Sequence, residues 1–426
     1  MTTVLHSHGA VTERDLGGAR AAIVRRPGHP LTAVSLRFRG GSAAEPLGRS
    51  GLAHLLEHLM FAGTPSRPAG AFHAMVQDVG GFTNGITSAD ATEFVHMVHP
   101  NTLGDVFEAE RDRFAVTSAG WTEADLAREA QIVLRERSHR VDRRPLGSSV
   151  ESLLLAAFGP DHPYGRPPVG AASGVLSVSL LDVEAFFRSH YTASALSVVV
   201  VGDVDVEWVM DQVAAIVDTL PSAEAPVARH LGAGGGTPAR LTKDSAVRRL
   251  FLGYWVPSAC DRAYADAQLI GLALAGSSGL LSSALLSRGL AADVAIRTIA
   301  LEQSPSLLII EVTPSDDVDM DTLSAEVRGT LDSVVRRRVS TLSAELDRAR
   351  RTYTTRWAAQ HDSVIRRVSA LGETLQRHGT TAAYLDPLQR VRNVPTPELA
   401  AGLAEWFSAP AAAEVTYEHG AHGRVA

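Results

Sequence analysis

Cysteine is nearly absent: Cys260 is the single example in 426 residues. That excludes an internal disulfide framework and any cysteine-based zinc site within one chain. Positive charge is not in excess either. A net charge of −7 argues against nucleic acid or an anionic membrane as the main partner. No run of about 18 apolar residues occurs, so no membrane-spanning helix is expected. The opening Met1-Thr-Thr-Val-Leu-His-Ser-His8 has neither a basic region nor an apolar core, so no secretory signal is expected and a cytoplasmic location is the default. What is present is a globular composition, 45% hydrophobic and 20% charged, in a chain long enough for two or three domains.

One stretch concentrates chemistry: Gly51-Leu-Ala-His54-Leu-Leu-Glu57-His58-Leu-Met-Phe61. On a helix, positions 54, 57 and 58 fall at i, i+3 and i+4 and share a face. Two neutral imidazole nitrogens can hold a zinc ion, and a carboxylate beside them can take a proton from water. The order His-x-x-Glu-His reverses the commoner His-Glu-x-x-His and is the inverzincin signature. Ser50 is placed to cap this helix and Gly63-Thr64-Pro65 to stop it. The helix alone lacks a third ligand.

Around it the first half alternates strands and helices. Ala21–Val24 and Leu31–Phe38 read as a pair of strands joined by Pro27-Gly28-His29-Pro30. Phe72–Val79 reads as a short helix closed by Gly80-Gly81, with strands following at Phe82–Ser88 and Thr92–Val98. The paired glycines before Asn84 allow two readings: close approach by an extended peptide at a sheet edge, or plain turn geometry. Helices are expected over Thr102–Ser118 and Thr122–Ser138, the second opened by a capping box of Thr122 with Asp125. Within it Glu129 and Glu136 are two turns apart and offset by about 20°, so they share a face. Either could reach a metal held by another helix. Arg128, Arg135 and Arg137 lie around them, and without the His-x-x-Glu-His stretch a solvated charged face would be the better reading. Further helices at Ser148–Phe158, Leu180–His190 and Val206–Leu220, with a strand at Ala195–Val201, complete an α+β domain over residues 1–225.

A Gly-rich linker occupies residues 226–240, and beyond it, over 241–426, the order of elements starts again. Strands, two helices, two strands and three long helices follow without a second His-x-x-Glu-His. Duplication of one fold, an antiparallel sheet packed with helices, is the expectation. His361 and His378 are isolated and read as surface residues.

The chain resembles the pitrilysin-type zinc metallopeptidases, peptidase family M16, and within it the short processing-peptidase-like subunits (M16B) with their fold akin to LuxS-type metallohydrolases. Gly51–Thr64 is similar to the family's metal helix almost position by position. Gly80-Gly-Phe-Thr-Asn84-Gly85-Ile86-Thr87 resembles its Gly-Gly-x-x-Asn-Ala-x-Thr edge segment, with Gly85 in place of alanine. The pair Glu129 and Glu136 looks like the family's pair of glutamates, the later one lying 136 − 58 = 78 positions after the second histidine. His162-Pro-Tyr164-Gly165 and Val198–Asp203 are further marks of the family.

The resemblance implies one zinc ion per chain, held by His54, His58 and Glu136, with Glu57 as general base. Glu129 would orient a ligand histidine through its other nitrogen, and Asn84, Gly85 and Ile86 would bind an extended peptide as an added strand. It also implies a chamber closed by four such domains, two from each short chain. The family's second domain usually supplies an arginine and a tyrosine from Ser-Arg-Leu-Phe-x-x-Leu-Arg-Glu-Lys-x-Gly-Leu-Ala-Tyr. Here Ser278–Ala292 keeps Gly289-Leu-Ala291, but Leu285 stands for the arginine and Ala292 for the tyrosine. Losing one such hydrogen-bond donor typically costs about 10²–10³ in rate. A heterodimer with a zinc-less homologue that brings the Arg and Tyr is therefore favoured over a homodimer; Arg262 with Tyr264, or Arg351 with Tyr353, have no support from spacing. The competing reading is a non-catalytic subunit that keeps the fold for assembly or peptide binding.

Overall fold

The computed structural model describes residues 10–115, 120–222, 230–233, 239–276, 278–338 and 342–419. The expected linker lies mostly outside them. Two compact units emerge, each built from three stretches of chain. The first takes Met1–Arg137, Arg166–Ala228 and Ala359–Tyr384; the second takes Ser138–Gly165, Arg229–Ala358 and Leu385–Ala426.

The first unit holds a six-stranded sheet of β1 (Ala10–Leu16), β2 (Ala19–Arg25), β3 (Thr32–Phe38), β4 (Phe82–Thr87), β5 (Thr92–Val98) and β6 (Leu196–Gly202), in the order β1-β2-β6-β3-β5-β4. All neighbours are antiparallel except β2 and β6. Strands β2 and β3 are thus not partners: β6, a run of four valines buried throughout, inserts between them as apolar strands buried on both faces do. Strand β1 escaped the sequence reading because Ala-Val-Thr-Glu-Arg-Asp-Leu is a largely exposed edge with no apolar face.

One face of this sheet carries the core. Leu52, Leu55, Leu56 and Leu59 of the helix Leu52–Met60 pack with Leu36, Phe38, Phe94, Phe114 and Tyr191. Each fully buried leucine contributes about 1.5–3 kcal/mol. The opposite face is covered by a helix from far along the chain, Val364–His378. Arg37 Nε donates to its Gln376 Oε1 at 2.9 Å, and Gly372 lets it close on Ser35.

The second unit repeats the plan with β7 (Ala239–Asp244), β8 (Arg249–Val256), β9 (Ala291–Ile299), β10 (Ser306–Pro314) and β11 (Ala413–Glu418), ordered β7-β11-β8-β10-β9. Its single parallel pair, β7 with β11, matches β2 with β6. Here the covering helix is Ser149–Phe158, from the first half of the sequence, which sets Leu153 against Gly253 of β8. Each sequence half therefore lends its equivalent helix to the other unit. Among the described residues no helix is long and apolar enough to cross a membrane.

Candidate metal centre

The helix Leu52–Met60 starts differently from the expectation of a Ser50 cap. Gly51 occupies the cap position with φ 95°, which favours glycine, and a side chain there would strike Val175 and Gly170. The free N–H groups are met by Glu45, whose carboxylate accepts from Gly51 N at 3.0 Å and Ala53 N at 2.9 Å. Burial pushes the Glu45 carboxyl up to about 8, against these two bonds and the charge of Arg166. Ser50 Oγ instead accepts from Ala171 N. At the other end Trp121 Nε1 donates to Leu59 O at 3.1 Å.

The second helix, Glu123–Arg137, opens on the expected reciprocal bonds of Thr122 and Asp125. It lies against the first and brings Glu136 Oε2 to 3.4 Å from His58 Nε2 and 3.8 Å from His54 Nε2. The two imidazoles meet edge to face at 4.8 Å, and one donor atom from each of the three residues lies within 4.8 Å of the others. Bonds of about 2.0–2.1 Å in a tetrahedron around zinc set ligand atoms about 3.3 Å apart. The two-imidazole, one-carboxylate set therefore fits a zinc ion with a small contraction. Among the described residues it is the one such cluster.

Glu129 Oε2 lies 3.5 Å from His58 Nδ1, while Glu129 Oε1 accepts from Arg128 Nε at 3.1 Å. Burial disfavours charge on His58, but Glu129 and Glu136 outweigh it and raise the imidazole to about 9. A metal must displace that proton to bind. Glu57 points from the same helix to β4, where Thr87 Oγ1 donates to its Oε2 at 2.6 Å. Burial raises the Glu57 carboxyl above its ordinary value, against the Thr87 bond and His58.

Strand β4 ends its sheet, so one side is open. Along it Phe82, Asn84 and Ile86 are exposed, while Thr83, Gly85 and Thr87 alternate toward the helices. Ser88 N bonds to Ala91 O in the turn after it. Antiparallel alternation from that bond turns the backbone groups of Thr83, Gly85 and Thr87 to the open side. Gly80, at φ 70°, and Gly81, tight against Val76 O and Met97 O, are explained by the turn itself.

Three features lie beyond the sequence reading: the cap by Glu45, the bond from Thr87 to Glu57 and a buried network. Thr83 Oγ1 sits 2.8 Å from His96 Nδ1, His96 Nε2 is 2.9 Å from Glu110 Oε1, and Arg113 donates to Glu110 Oε2 at 2.6 and 2.9 Å. Arg113 also lies over the Phe94 and Phe61 rings at 4.0 and 4.6 Å. The Glu110–Arg113 spacing of three was the one visible trace of it.

Residues 20–171 match the insulinase family, peptidase family M16, and residues 177–353 match the peptidase M16 inactive domain. The chain belongs to the M16 family. It is 28% identical over 327 residues to the zinc protease PqqE of Helicobacter pylori, covering 74% of this chain and 71% of that one. With an uncharacterized zinc protease of Mycobacterium tuberculosis it shares 27% over 419 residues, 95% and 92% of the two chains. The mitochondrial-processing peptidase subunit beta of Blastocladiella emersonii is 27% identical over 195 residues, 44% and 40% of the chains. In fold it is similar to a protease from Helicobacter pylori, with a TM-score of 0.84 at 22% identity over 96% of this chain and 100% of that one.

In this M16 chain the second unit places Leu285 in its apolar core and Ala292 exposed on β9. Tyr264 OH donates to Thr298 Oγ1 and Tyr353 OH to Gln268 Oε1, so both tyrosines are engaged within that unit.

Proposed function

We propose that this chain is a zinc-dependent endopeptidase, a hydrolase acting on extended or short peptides in processing or clearance. The observation that carries the reading is the convergence of His54, His58 and Glu136 on one point with Glu57 beside them. Bound there, zinc supplies Lewis acidity and lowers the pKa of a water molecule. Glu57 takes the proton of the attacking water and returns it to the leaving amine; its raised pKa suits a group that must do both. Glu129 holds the His58 ring through Nδ1, which leaves Nε2 for the metal. A peptide adds to the open side of β4, where Gly85 offers its backbone N–H and C=O and the exposed Asn84 and Ile86 line the same strand.

The partner belongs to the same reading. Leu285 is buried among apolar side chains and Ala292 is a methyl group, so neither donates to a substrate oxygen. A homologous M16 chain that supplies Arg and Tyr completes the site as a heterodimer. The test is Glu57→Gln assayed on an unstructured peptide with the partner present, alongside metal analysis. We expect zinc retained and the rate lowered about 10²–10⁴-fold. Parent-like cleavage by the variant, or a parent protein that binds no zinc, would instead leave a non-catalytic peptide-binding subunit.

A further inference from the structure

Strand β4 turns the main chain of alternate residues to its open edge, and at those residues the main chain makes no bond to β5. Thr83 is one of them, directly opposite His96 in the β4–β5 pair. Alternation from the Ser88–Ala91 bond makes this a pair whose main-chain groups do not bond each other. The link is instead made by side chains, Thr83 Oγ1 to His96 Nδ1 at 2.8 Å. The other ring nitrogen, Nε2, lies 2.9 Å from Glu110 Oε1, and Glu110 Oε2 accepts two bonds from Arg113. His96, Glu110 and Arg113 are all buried. Glu110 and Arg113 belong to the helix Leu103–Ala115, and the Arg113 guanidinium lies over Phe61, the residue that closes the helix Leu52–Met60. The network therefore runs from the open strand to the end of the helix that carries His54, Glu57 and His58. No step of the proposed chemistry uses it.

We propose that His96, braced by the Glu110–Arg113 pair, positions Thr83 so that β4 accepts a peptide along its whole length and not beside Glu57 alone. His96 and Thr83 are positioning residues. An edge strand has one neighbour, so each cross-strand bond it lacks leaves its main chain freer to turn away from a ligand. Four residues separate Thr83 from Thr87, the neighbour of Glu57, which is about 13 Å along a strand. A peptide that bonds the Thr83 main chain therefore extends about four residues past the one beside Thr87. The substrate class selected is an extended peptide with a run of unfolded chain on one side of the cut, not a dipeptide or tripeptide. This inference deepens the endopeptidase reading and rests on it.

The test uses an unstructured peptide cut at one bond, and two forms of it shortened by about four residues at the N-terminal or the C-terminal end. The parent chain, with its partner, should lose kcat/KM on one of the two shortened forms. Thr83→Val keeps the shape and removes the hydroxyl. It should raise KM for the full-length peptide about 3–10-fold, the range for one hydrogen bond. Its kcat, its zinc content and its KM for the form that misses Thr83 should stay within about twofold of the parent's. Thr83→Ser should restore the parent KM. A second readout needs no turnover. The Phe82 and Asn84 amides bond to β5 by the same alternation. In metal-free protein they should exchange with deuterium about 3–10-fold faster in Thr83→Val, at parent rates in Thr83→Ser, and no faster when Thr83→Val is added to His96→Leu. A parent indifferent to both truncations, an equal effect of Thr83→Val on all three peptides, a loss confined to kcat, or parent-like exchange would overturn the proposal. If Glu57→Gln cleaves like the parent, the endopeptidase reading falls, and amide exchange still decides whether His96 holds the strand.

Discussion

Each unit packs a helix against the strand that ends its sheet, and the two contacts have opposite shapes. In the first unit a long side chain on the helix, Glu57, enters the gap left by Gly85 on β4. In the second, the helix Tyr264–Leu274 presents Gly271, whose Cβ would meet Ile296 of β9 at 3.3 Å. The knob and the hole have changed sides. The second arrangement is apolar and stabilising, whereas the first buries a carboxylate next to two imidazoles, which costs stability unless those groups are paired. Matching sheet orders in the two units show one plan built twice, and among the described residues the cluster of His54, His58 and Glu136 belongs to the first copy alone.

The sharpest way to break this comparison is to neutralise one acid in each copy. Glu136→Gln removes a proposed zinc ligand, and we expect metal binding and peptide cleavage to fall to background, at least about 10³-fold, while the metal-free protein stays folded. Asp266 sits on the counterpart helix but is bonded to Arg390 at 2.6, 2.9 and 3.2 Å. Asp266→Asn should cost about 3 kcal/mol in urea unfolding, near the low end for a broken buried pair because Glu398 remains on Arg390, and should leave zinc content intact. Loss of zinc in Asp266→Asn would make the division of labour untenable. Smaller again is Glu129→Gln, which loosens the grip on His58 Nδ1 without removing a ligand. Zinc affinity measured by competition with a chelator should drop about 10–100-fold.

How far the sequence could be read follows the range of the forces involved. The helix of His54, Glu57 and His58 and the capping box of Thr122 with Asp125 are local, so spacing alone places them. Glu136 comes from a second helix, and there spacing by itself favours a solvated charged face; the His-x-x-Glu-His stretch and the family resemblance are what point to a ligand. Long-range choices left almost no trace. The insertion of β6 between β2 and β3, and the lending of Val364–His378 to the first unit, depend on which apolar faces meet. The glycine at position 85 was visible as a departure from the family's alanine, but its partner, Glu57, lies 28 positions earlier and on another element. The carboxylate that caps the helix Leu52–Met60 is hidden in the same way. Glu45 bonds across six and eight residues, beyond any capping motif, and Ser50 was the nearer candidate.

That cap separates the units once more, through pH. The counterpart helix in the second unit is led by Asp261, an exposed residue whose Oδ1 accepts from Ala263 N at 2.8 Å. Glu45 does similar work while buried, and its carboxyl moves from an ordinary 4.5 to about 8. Below pH 4.5 the group is protonated in folded and unfolded chains alike. Above it the unfolded chain releases the proton first, so the folded chain holds more protons and loses stability as pH rises, until both are ionised beyond about 8. Between pH 7 and 9 the remaining loss is about 1.4 kcal/mol. Glu45→Gln cannot titrate. It should be less stable at low pH, because an amide satisfies only one of the two N–H groups. Its unfolding midpoint should then converge on the parent's as pH rises, and subtracting the two metal-free curves cancels the titration of His58 and Glu57. Parallel curves from pH 5 to 9 would mean that the Glu45 carboxylate is already ionised in its seat, with the dipole of the helix Leu52–Met60 and its two N–H bonds outweighing burial.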